Sequence, residues 1–222
     1  MKTILIVGAS RGLGRALAEE HLSRGWHVIA TVRDPAALRD APPGKLEVHT
    51  LDVTDWAGVD AFARGMADRR IDVLFVNAGV ADDKRAIGEV QPDVFTRLML
   101  TNALAPLRLI DRMVHLVPSE GTVAVMSSGL GSVAGNGTGG WEAYRMSKAA
   151  LNTGLKSLAF RRAAEGRTYI AAAPGWVRTE MGGDAAALSI EQSIPRVADM
   201  LEARAGKGGV AYVNYDGQDL PW

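Results

Sequence analysis

Residues 3–14 read TILIVGASRGLG, an apolar run followed by three glycines. Consecutive apolar positions predict a parallel strand at Thr3–Val7 that is covered on both faces. The apolar residues Leu17, Ala18 and Leu22 predict a helix that begins at the glycines. Glycine lets the backbone approach a ligand closely, and a helix N-terminus offers N–H groups to a phosphate. The stretch therefore predicts a phosphate-binding turn. A plain glycine-rich turn is the alternative, because the spacing is GxxxGxG rather than GxGxxG.

The same alternation of apolar runs and helical segments continues along the chain. Further strands are predicted at His27–Val32, Leu46–Leu51, Val73–Val76, Thr122–Met126, Thr168–Ala172 and Gly209–Val213. Helices are predicted near residues 12–24, 55–69, 92–117, 141–165 and 190–204. This order predicts an α/β fold: a single Rossmann domain over residues 1–222, with a doubly wound parallel sheet of about seven strands and helices on both faces. The expected strand order is 3-2-1-4-5-6, with the seventh strand appended.

The composition narrows the possible classes of function. The chain has 222 residues, 47% of them hydrophobic, and its 25 Lys and Arg balance its 25 Asp and Glu. A net charge of zero excludes a general basic field for nucleic acid or anionic lipid. The absence of cysteine excludes disulfides and thiol nucleophiles, and the four widely spaced histidines predict no metal site. The sequence has no recognisable export signal and no apolar run of about 18 residues, so we expect a cytoplasmic protein without a membrane span.

A dinucleotide bound at the glycine turn would reach the end of the second strand with its adenine ribose. Asp34 lies there and could accept a hydrogen bond from the 2′-hydroxyl of NAD. Arg33 is closer to the expected pocket, however, and Arg11 in the glycine turn would point at the same ribose edge. Two guanidiniums suit a 2′-phosphate, because arginine binds phosphate through paired hydrogen bonds. We therefore predict NADP(H). NAD held by Asp34, or two solvated surface arginines, are the alternatives.

Seven short motifs occur in order along residues 8–179. They are Gly8-Ala9-Ser10-Arg11-Gly12-Leu13-Gly14, Leu51-Asp52-Val53, Asn77-Ala78-Gly79, Asn102, Ser127-Ser128, Tyr144-Arg145-Met146-Ser147-Lys148 and Pro174-Gly175-Trp176-Val177-Arg178-Thr179. Together they resemble the short-chain dehydrogenase/reductase family. The glycine-rich loop before Tyr144 and the ending Tyr215-Asp216-Gly217 with Pro221-Trp222 resemble its C-factor-like branch. One departure is that Tyr144 lies 16 positions after Ser128, a spacing a few residues longer than is usual in the family.

The resemblance implies which residues contact the cofactor. In this family Asp52 and Val53 bind the adenine, Asn77-Ala78-Gly79 lines the cofactor, Pro174-Gly175 passes the nicotinamide, and Thr179 meets its amide or the phosphates. Together with the turn and ribose residues, the predicted set is Gly8, Ser10, Arg11, Gly12, Leu13, Gly14, Arg33, Asp52, Val53, Asn77, Ala78, Gly79, Tyr144, Lys148, Pro174, Gly175, Val177 and Thr179. For residues 77–79, a structural turn without cofactor contact is the alternative.

Tyr144 and Lys148 are four residues apart, so on a helix they share one face. A tyrosine has an ordinary pKa of about 10, too high for an efficient general base near neutral pH. A nearby ammonium favours the phenolate, so we expect Lys148 to lower the pKa of Tyr144 while also donating to the nicotinamide ribose. An exposed pair at helical spacing is the alternative.

Two further catalytic positions are predicted. In the family, a serine after the strand at 122–126 hydrogen-bonds the substrate oxygen; Ser128 is the predicted residue and Ser127 the alternative. Asn102 lies in the predicted helix 92–117, and Pro106, four residues later, has no N–H to bond its carbonyl. The freed carbonyl is a candidate water site, which gives a physical reason for the Asn–water–Lys proton relay of the family. A merely kinked core helix is the alternative.

Three further segments have expected roles. Gly129–Gly140, GLGSVAGNGTGG, is expected to be an active-site loop whose path is not predicted, with a flexible linker as the alternative. The short stretch Glu180–Gln192 before the last helix predicts a short lid, and hence an open site for a bulky substrate. Tyr212, Tyr215 and Trp222 are expected to cover the domain's own core or an oligomer interface rather than to dock a partner.

The resulting prediction is an NADP(H)-dependent oxidoreductase that transfers a hydride between nicotinamide and a small-molecule carbonyl or alcohol. Ser128, Asn102, Tyr144 and Lys148 carry the chemistry in this prediction. The C-factor-like resemblance keeps open a dinucleotide-binding signalling or regulatory protein with little turnover. The family also implies a homodimer or homotetramer through the helices at 92–117 and 141–165. Neither the substrate nor the direction of the reaction is predicted.

Overall fold

A computed structural model describes residues 1–81 and 85–222. Within these residues it contains a seven-stranded sheet, in which each strand is parallel to its neighbours. The strands are β1 (Thr3–Val7), β2 (His27–Val32), β3 (Leu46–Thr50), β4 (Val73–Val76), β5 (Thr122–Met126), β6 (Thr168–Ala173) and β7 (Gly209–Asn214). Their spatial order is β3-β2-β1-β4-β5-β6-β7. The predicted parallel sheet and its strand order are therefore confirmed.

The helices follow the prediction with one exception. They are α1 (Gly12–Ser23), α2 (Trp56–Gly65), α3 (Pro92–Met99), α4 (Ala105–Met113), α5 (Glu142–Arg161) and α6 (Ile190–Arg204). The helix predicted near residues 92–117 divides into α3, a π-helical segment at Leu100–Leu104, and α4. Pro106 has no N–H with which to close the ordinary α-helical bond to Asn102, so the ladder is interrupted where the wider turn lies.

Helices cover both faces of the sheet, as predicted. On one face α1 and α6 pack on the sheet. Leu17 of α1 and Val197 of α6 lie in the same core as Ile4 of β1. On the other face α2, α4 and α5 pack on the sheet. Leu155 of α5, for example, lies in the same core as Leu5 of β1. Successive strand residues point to opposite faces, and because both faces are buried the strand sequences are apolar at consecutive positions. Among the helices described, none combines the length and the apolar character needed to span a bilayer.

The residues after β7 fold back along the outer side of that strand. The backbone N–H of Leu220 donates to Tyr212 O, and that of Asn214 donates to Gln218 O, both at 2.8 Å. The Trp222 ring then packs against the Tyr212 ring, with their centroids 5.4 Å apart. These two aromatic side chains therefore cover the protein's own sheet.

The carboxyl ends of four neighbouring strands bring the predicted motifs to one edge of the sheet. Gly8 follows β1, Asn77 follows β4, Ser127 follows β5, and Pro174 follows β6. The strand order reverses between β1 and β4, which is where open α/β sheets bind ligands. The candidate site is therefore built at this edge.

Candidate active site

The glycine turn after β1 is packed too closely for side chains at two positions. Gly8 has a φ of +89°, and a Cβ built there would lie 2.8 Å from the Ala78 Cα. A Cβ at Gly14 would lie 2.2 Å from Gly8 O. Asn77 Nδ2 donates to the same carbonyl at 2.7 Å, which joins this turn to the turn after β4. The packing therefore leaves no room for a side chain at positions 8 and 14.

The N-terminus of α1 fits a phosphate group. The N-cap residue, Arg11, makes no side-chain capping bond, and the first turn contains no acidic residue. The first N–H groups of a helix have no partner within the helix itself. With no carboxylate beside them, they fit an anion such as the pyrophosphate of a dinucleotide.

Arg33 and Asp34, the two candidates for selecting the ribose, have different surroundings. The Asp34 carboxylate accepts a hydrogen bond from Ala36 N at 2.9 Å and begins a 3-10 helix at Pro35–Leu38. Arg33 is exposed, and its backbone N–H donates to Ser10 Oγ at 3.4 Å. Asp34 is thus engaged by its own backbone, whereas Arg33 stands beside the glycine turn.

Arg11 has a partner that the sequence did not indicate. Its guanidinium forms an exposed ion pair with Glu180 instead of standing alone at the ribose edge. Glu180 follows Thr179, whose methyl group would lie 3.9 Å from a Cβ built at Gly12, so this segment passes close to the glycine turn. Exposed ion pairs contribute about 0–1 kcal/mol, so a phosphate could displace this carboxylate.

The two motifs after β3 and β4 form tight turns. The Asp52 carboxylate accepts hydrogen bonds from Thr54 Oγ1 at 2.6 Å and Thr54 N at 2.8 Å, and these bonds lower the pKa of Asp52. Its neighbour Val53 is buried. Asn77 and Ala78 both donate their backbone N–H to Val7 O, at the end of β1, at 2.9 Å. These contacts are compatible with a cofactor contact and with a purely structural turn.

The segment after β6 is held by its own contacts beside the glycine turn. Pro174 O accepts a hydrogen bond from Ser193 Oγ at 2.7 Å. Gly175 has a φ of +81°, which redirects the chain at the end of the strand. Val177 is buried and pairs with Leu188. The pairing closes the segment between them into a compact turn.

That compact turn includes most of Glu180–Gln192, the stretch that is expected to form a short lid. Trp176 Nε1 donates to Gly182 O at 2.9 Å, which folds the turn onto itself. The Trp176 and Met181 side chains are exposed, with 54% and 47% of their surface accessible. The lid therefore presents apolar surface at the carboxyl end of β6.

Ser128 and Tyr144 meet at the end of β5. The Tyr144 phenol is hydrogen-bonded to the Ser128 side chain. Ser128 Oγ also accepts a bond from Leu130 N at 3.2 Å, which starts a short 3-10 turn. Ser127, the alternative, is buried, and its Oγ donates to Asn152 Oδ1 at 2.6 Å. Of the two serines, Ser128 is therefore the one beside Tyr144.

Lys148 lies with its Nζ 5.7 Å from the centroid of the Tyr144 ring. The buried Nζ donates to Met126 O at 2.8 Å. Burial lowers the pKa of Lys148 to about 8. Burial likewise raises the pKa of Tyr144 to about 12, although the bond with Ser128 acts in the opposite direction. The expectation that Lys148 lowers the pKa of Tyr144 is not met, because loss of hydration favours the neutral form of both groups.

Asn102 joins the π-helical segment to the loop after β4. Its Oδ1 accepts from Val80 N and its Nδ2 donates to Val80 O, both at 2.8 Å. The same Nδ2 donates to Ser147 Oγ at 3.0 Å. A Cβ built at Gly79 would lie 3.4 Å from Asn102 Oδ1 and 3.6 Å from Lys148 Nζ. The side-chain amide is thus engaged in structural bonds, so its backbone carbonyl is the group that fits the predicted relay.

The substitution Pro106→Ala is expected to slow turnover modestly without unfolding the protein. An alanine N–H could bond the Asn102 carbonyl, so the π-helical segment would close into an ordinary α-helix. Steady-state kinetics and a structure of the variant test this. Pro92→Ala is the matched control, because a proline in the first turn of α3 withholds no bond that the helix needs. An unchanged kcat in a closed helix would contradict a role for the carbonyl.

The glycine-rich loop Gly129–Gly140 is anchored by Arg145. This buried arginine donates from Nε to Gly140 O at 2.8 Å. Its Nη2 donates to Gly139 O and to Thr138 Oγ1, both at 3.0 Å. The path that the sequence could not predict is therefore an ordered loop whose end is tied to α5 next to Tyr144.

Sequence reasoning missed three residues that support the site: Arg145, Asn152 and Tyr212. A charged residue next to the predicted catalytic tyrosine was an available signal for Arg145. Asn152 is four residues after Lys148, which places it on the same helix face. Tyr212 donates its hydroxyl to Ser128 O across 84 positions of sequence, and no local pattern reveals such a contact.

His21 and His49 make structural contacts. Among residues 1–81 and 85–222, no group of three His, Asp or Glu side chains is placed to hold a metal ion. His21 is buried, and its Nδ1 is 2.8 Å from Leu17 O. The His49 ring packs edge-on against Phe62, with centroids 5.5 Å apart.

Comparison with known proteins gives relatives across the chain. A family model described as short chain dehydrogenase matches residues 2–188. C-signal of Myxococcus xanthus is 35% identical over 164 residues, covering 73% of this chain and 99% of that protein.

Solved structures extend the similarity to the whole fold. A protein from Burkholderia multivorans, described as a short-chain dehydrogenase/reductase and solved with bound NADP, is 47% identical with a TM-score of 0.96, covering 100% of this chain and 99% of that one. A carbonyl reductase from Pseudomonas aeruginosa PAO1, solved in complex with NADP, is 38% identical with a TM-score of 0.87, covering 100% of both chains. The chain is similar to these proteins from its first strand to its last.

Proposed function

Because the chain belongs to the short-chain dehydrogenase/reductase family, we propose that it is an NADP(H)-dependent oxidoreductase that interconverts a carbonyl compound and its alcohol. The observation that carries this proposal is the meeting of Ser128, Tyr144 and Lys148 at the carboxyl end of β5. Residues 1–222 would act as one domain, since the sheet takes its strands from Thr3 through Asn214.

The residues of the chain fit a dinucleotide along the edge of the sheet. The uncapped N-terminus of α1, at Gly12, Leu13 and Gly14, would bind the pyrophosphate. Arg33 would bind the 2′-phosphate, and Arg11 would join it after leaving Glu180. The remaining predicted contacts are Gly8, Ser10, Asp52, Val53, Asn77, Ala78, Gly79, Pro174, Gly175, Val177 and Thr179. When bound, the nicotinamide supplies or accepts the hydride.

Tyr144 would hold the proton that the substrate oxygen gains or loses. With a pKa raised to about 12, its phenol is protonated at neutral pH and suits proton donation to a carbonyl oxygen during reduction. Ser128 would donate a hydrogen bond to the same oxygen as negative charge develops on it. The Lys148 ammonium would then stabilise the phenolate, and Asn102 would order the relay water through its carbonyl.

An apolar carbonyl compound suits the surroundings of Tyr144. The Trp141 ring packs edge-on against the Tyr144 ring, with centroids 6.1 Å apart. Exposed Trp176 and Met181 add apolar surface on the lid that follows the neighbouring strand β6. The short lid agrees with a bulky or poorly enclosed substrate.

Oxidation of NADPH with a panel of aldehydes and ketones tests the proposal. We expect turnover with at least one apolar aldehyde or ketone, and that turnover should depend on Tyr144. Tight NADPH binding without turnover on any member of the panel would favour the second candidate, a dinucleotide-binding signalling or regulatory protein. That candidate is supported by the similarity to the protein named C-signal.

We also propose a homodimer or homotetramer through residues 92–117, which include α3 and α4, and residues 141–165, which include α5. Leu100, Leu104 and Phe160 are large apolar side chains exposed on or beside these helices. A shallow cavity of about 400 Å³ lies between α4 and α5, and the residues that line it include Leu107 and Gly154. Light scattering coupled to size-exclusion chromatography measures the subunit number, and a monomer would contradict this assignment.

Replacing Arg33 with aspartate is expected to weaken NADPH binding about ten- to a hundredfold. One hydrogen bond to a charged group contributes roughly 1.5–3 kcal/mol, and a carboxylate would also repel the 2′-phosphate. NADH lacks that phosphate, so its affinity should change little or improve. Titration of both cofactors against native and variant protein measures the preference.

Asp34→Ala is the matched control for Arg33→Asp. If Asp34 were the true ribose ligand, the native protein would prefer NADH and Asp34→Ala would weaken NADH binding. We expect neither result, because the Asp34 carboxylate is bonded to Ala36 N. A native preference for NADH would overturn the role of Arg33 and leave the chemistry at Tyr144 untouched.

A further inference from the structure

Tyr212 reaches the predicted catalytic serine from β7, two strands away from β5 in the sheet. Its ring is buried, and the residue pairs with Ala171 of β6. Ala171 and Ala173 are small and belong to the same core, which leaves room for the phenol to lie across β6. The phenol hydroxyl donates to the backbone carbonyl of Ser128.

The same hydroxyl lies beside a hydrogen-bonded pair, Ser127 and Asn152, whose side chains act to lower the pKa of the phenol. Asn152 accepts from Ser127 Oγ at 2.6 Å, and its Nδ2 donates to Gly131 O at 3.3 Å. Asn152 thus holds the residues before and after Ser128, whereas Tyr212 holds the backbone of Ser128 itself.

Two features keep Tyr212 in place as a donor. Its ring packs against Trp222, and Lys156 Nζ lies 4.8 Å from the centroid of the Trp222 ring on which it rests. Burial raises the pKa of the Tyr212 phenol to about 12, so the hydroxyl keeps its proton near neutral pH. A protonated phenol in a fixed ring position is a directed hydrogen-bond donor.

We propose that Tyr212 is a positioning residue for Ser128, and that by holding the Ser128 carbonyl it sets the direction in which Ser128 Oγ faces the substrate oxygen. This rests on the proposed function, in which Ser128 bonds that oxygen. Gly131 N also donates to Ser128 O at 2.8 Å, but that bond lies within the turn itself, so without Tyr212 the Ser128 carbonyl loses the donor that ties the turn to the sheet. Because small displacements of a catalytic group reduce the rate steeply, the loss should fall on kcat rather than on cofactor binding.

The test begins with Tyr212→Phe, which removes the hydroxyl and keeps the ring that packs on Trp222. We expect kcat to fall about tenfold, the effect of losing one hydrogen bond, with the KM for NADPH unchanged. Tyr169→Phe is the matched control, because it removes a phenol hydroxyl from the same core at a position on β6. We expect a native kcat for this control. Equal losses in the two variants, or a native kcat in Tyr212→Phe, would overturn the proposal.

A double variant separates positioning from a general structural effect. If Tyr212 acts through Ser128, Tyr212→Phe should have no further effect on kcat in a Ser128→Ala background. If the double variant instead lowers kcat by the product of the two single effects, this proposal is overturned and the role of Ser128 stands. Near-native turnover in Ser128→Ala would overturn that role, and this proposal with it.

Hydrogen exchange gives a readout that does not depend on activity. The Leu130 amide bonds to Ser128 Oγ, so it reports on the position of that side chain. In the full chain without cofactor, we expect this amide to exchange faster in Tyr212→Phe than in native protein or Tyr169→Phe. Unchanged exchange would show that Tyr212 does not hold the Ser128 turn.

Discussion

Replacing Tyr144 with phenylalanine is expected to lower kcat by about 10²- to 10⁴-fold, the usual cost of losing a general acid or base. The phenol hydroxyl is the group that bonds the Ser128 side chain at the end of β5. Phenylalanine keeps the ring that packs against Trp141. The affinity for NADPH should therefore stay near native. Stopped-flow kinetics and fluorescence titration measure the two quantities separately.

Tyr215→Phe is the matched control for that variant. Its ring packs with the other core, and the Arg196 guanidinium lies 5.7 Å from its centroid, so the residue is a tyrosine outside the group around Ser128. We expect native kcat and native NADPH affinity. Near-native turnover in Tyr144→Phe would remove Tyr144 from the mechanism and would leave the fold and the cofactor assignment standing.

Replacing Lys148 with methionine should damage both turnover and cofactor binding, because the ammonium is expected to serve the phenolate and the ribose. The variant removes the buried Nζ that bonds Met126 O. The loss of turnover should be largest below about pH 8, where Lys148 is protonated in native protein and its ammonium can stabilise the phenolate. A loss of turnover that is the same above and below about pH 8 would show that Lys148 has no electrostatic role.

Native protein and Lys148→Met can also be compared in their free energy of unfolding, and the pKa of Lys148 determines how the difference changes with pH. The pKa of Lys148 in the folded protein is about 8, below the ordinary value of 10.5. Between these values the unfolded chain binds a proton that the folded protein does not. The free energy of unfolding of native protein, relative to Lys148→Met, should therefore rise with pH by up to about 1.4 kcal/mol per unit, and this gain is lost as the pH falls through about 8.

Denaturant unfolding of the two proteins between about pH 7 and pH 10 measures this difference. Other titrating groups are common to both chains, so they largely cancel in the comparison. A difference that stays constant over this range would show that Lys148 titrates as an exposed lysine.

Much of the fold could be predicted because its causes are local. The strands β2 and β4 have the predicted bounds, because most of their residues are apolar and both faces of the sheet are buried. The break in the helix near residues 92–117 follows from Pro106, but no local pattern indicates that a π-helical segment at Leu100–Leu104 would accommodate it. The pairing of Tyr144 with Lys148 on one face of α5 follows from their spacing alone.

The rest depends on contacts between distant residues and on burial. The ion pair of Arg11 with Glu180 spans 169 positions, and neither residue carries a pattern that names the other. The pKa of Tyr144 was expected to be lowered because an ammonium lies close by. The loss of hydration that raises it depends on how deeply the hydroxyl is enclosed, and only the folded structure contains that information.

The return of Gln218–Trp222 along β7 also protects the protein from its neighbours in solution. A strand at the border of a sheet exposes unpaired N–H and C=O groups, which act as a template for aggregation with another chain. Here Tyr212 O and Asn214 N are already paired with Leu220 and Gln218. The residues that cover the Tyr212 ring thus also hinder strands of other molecules from pairing with this edge of the sheet at high protein concentration.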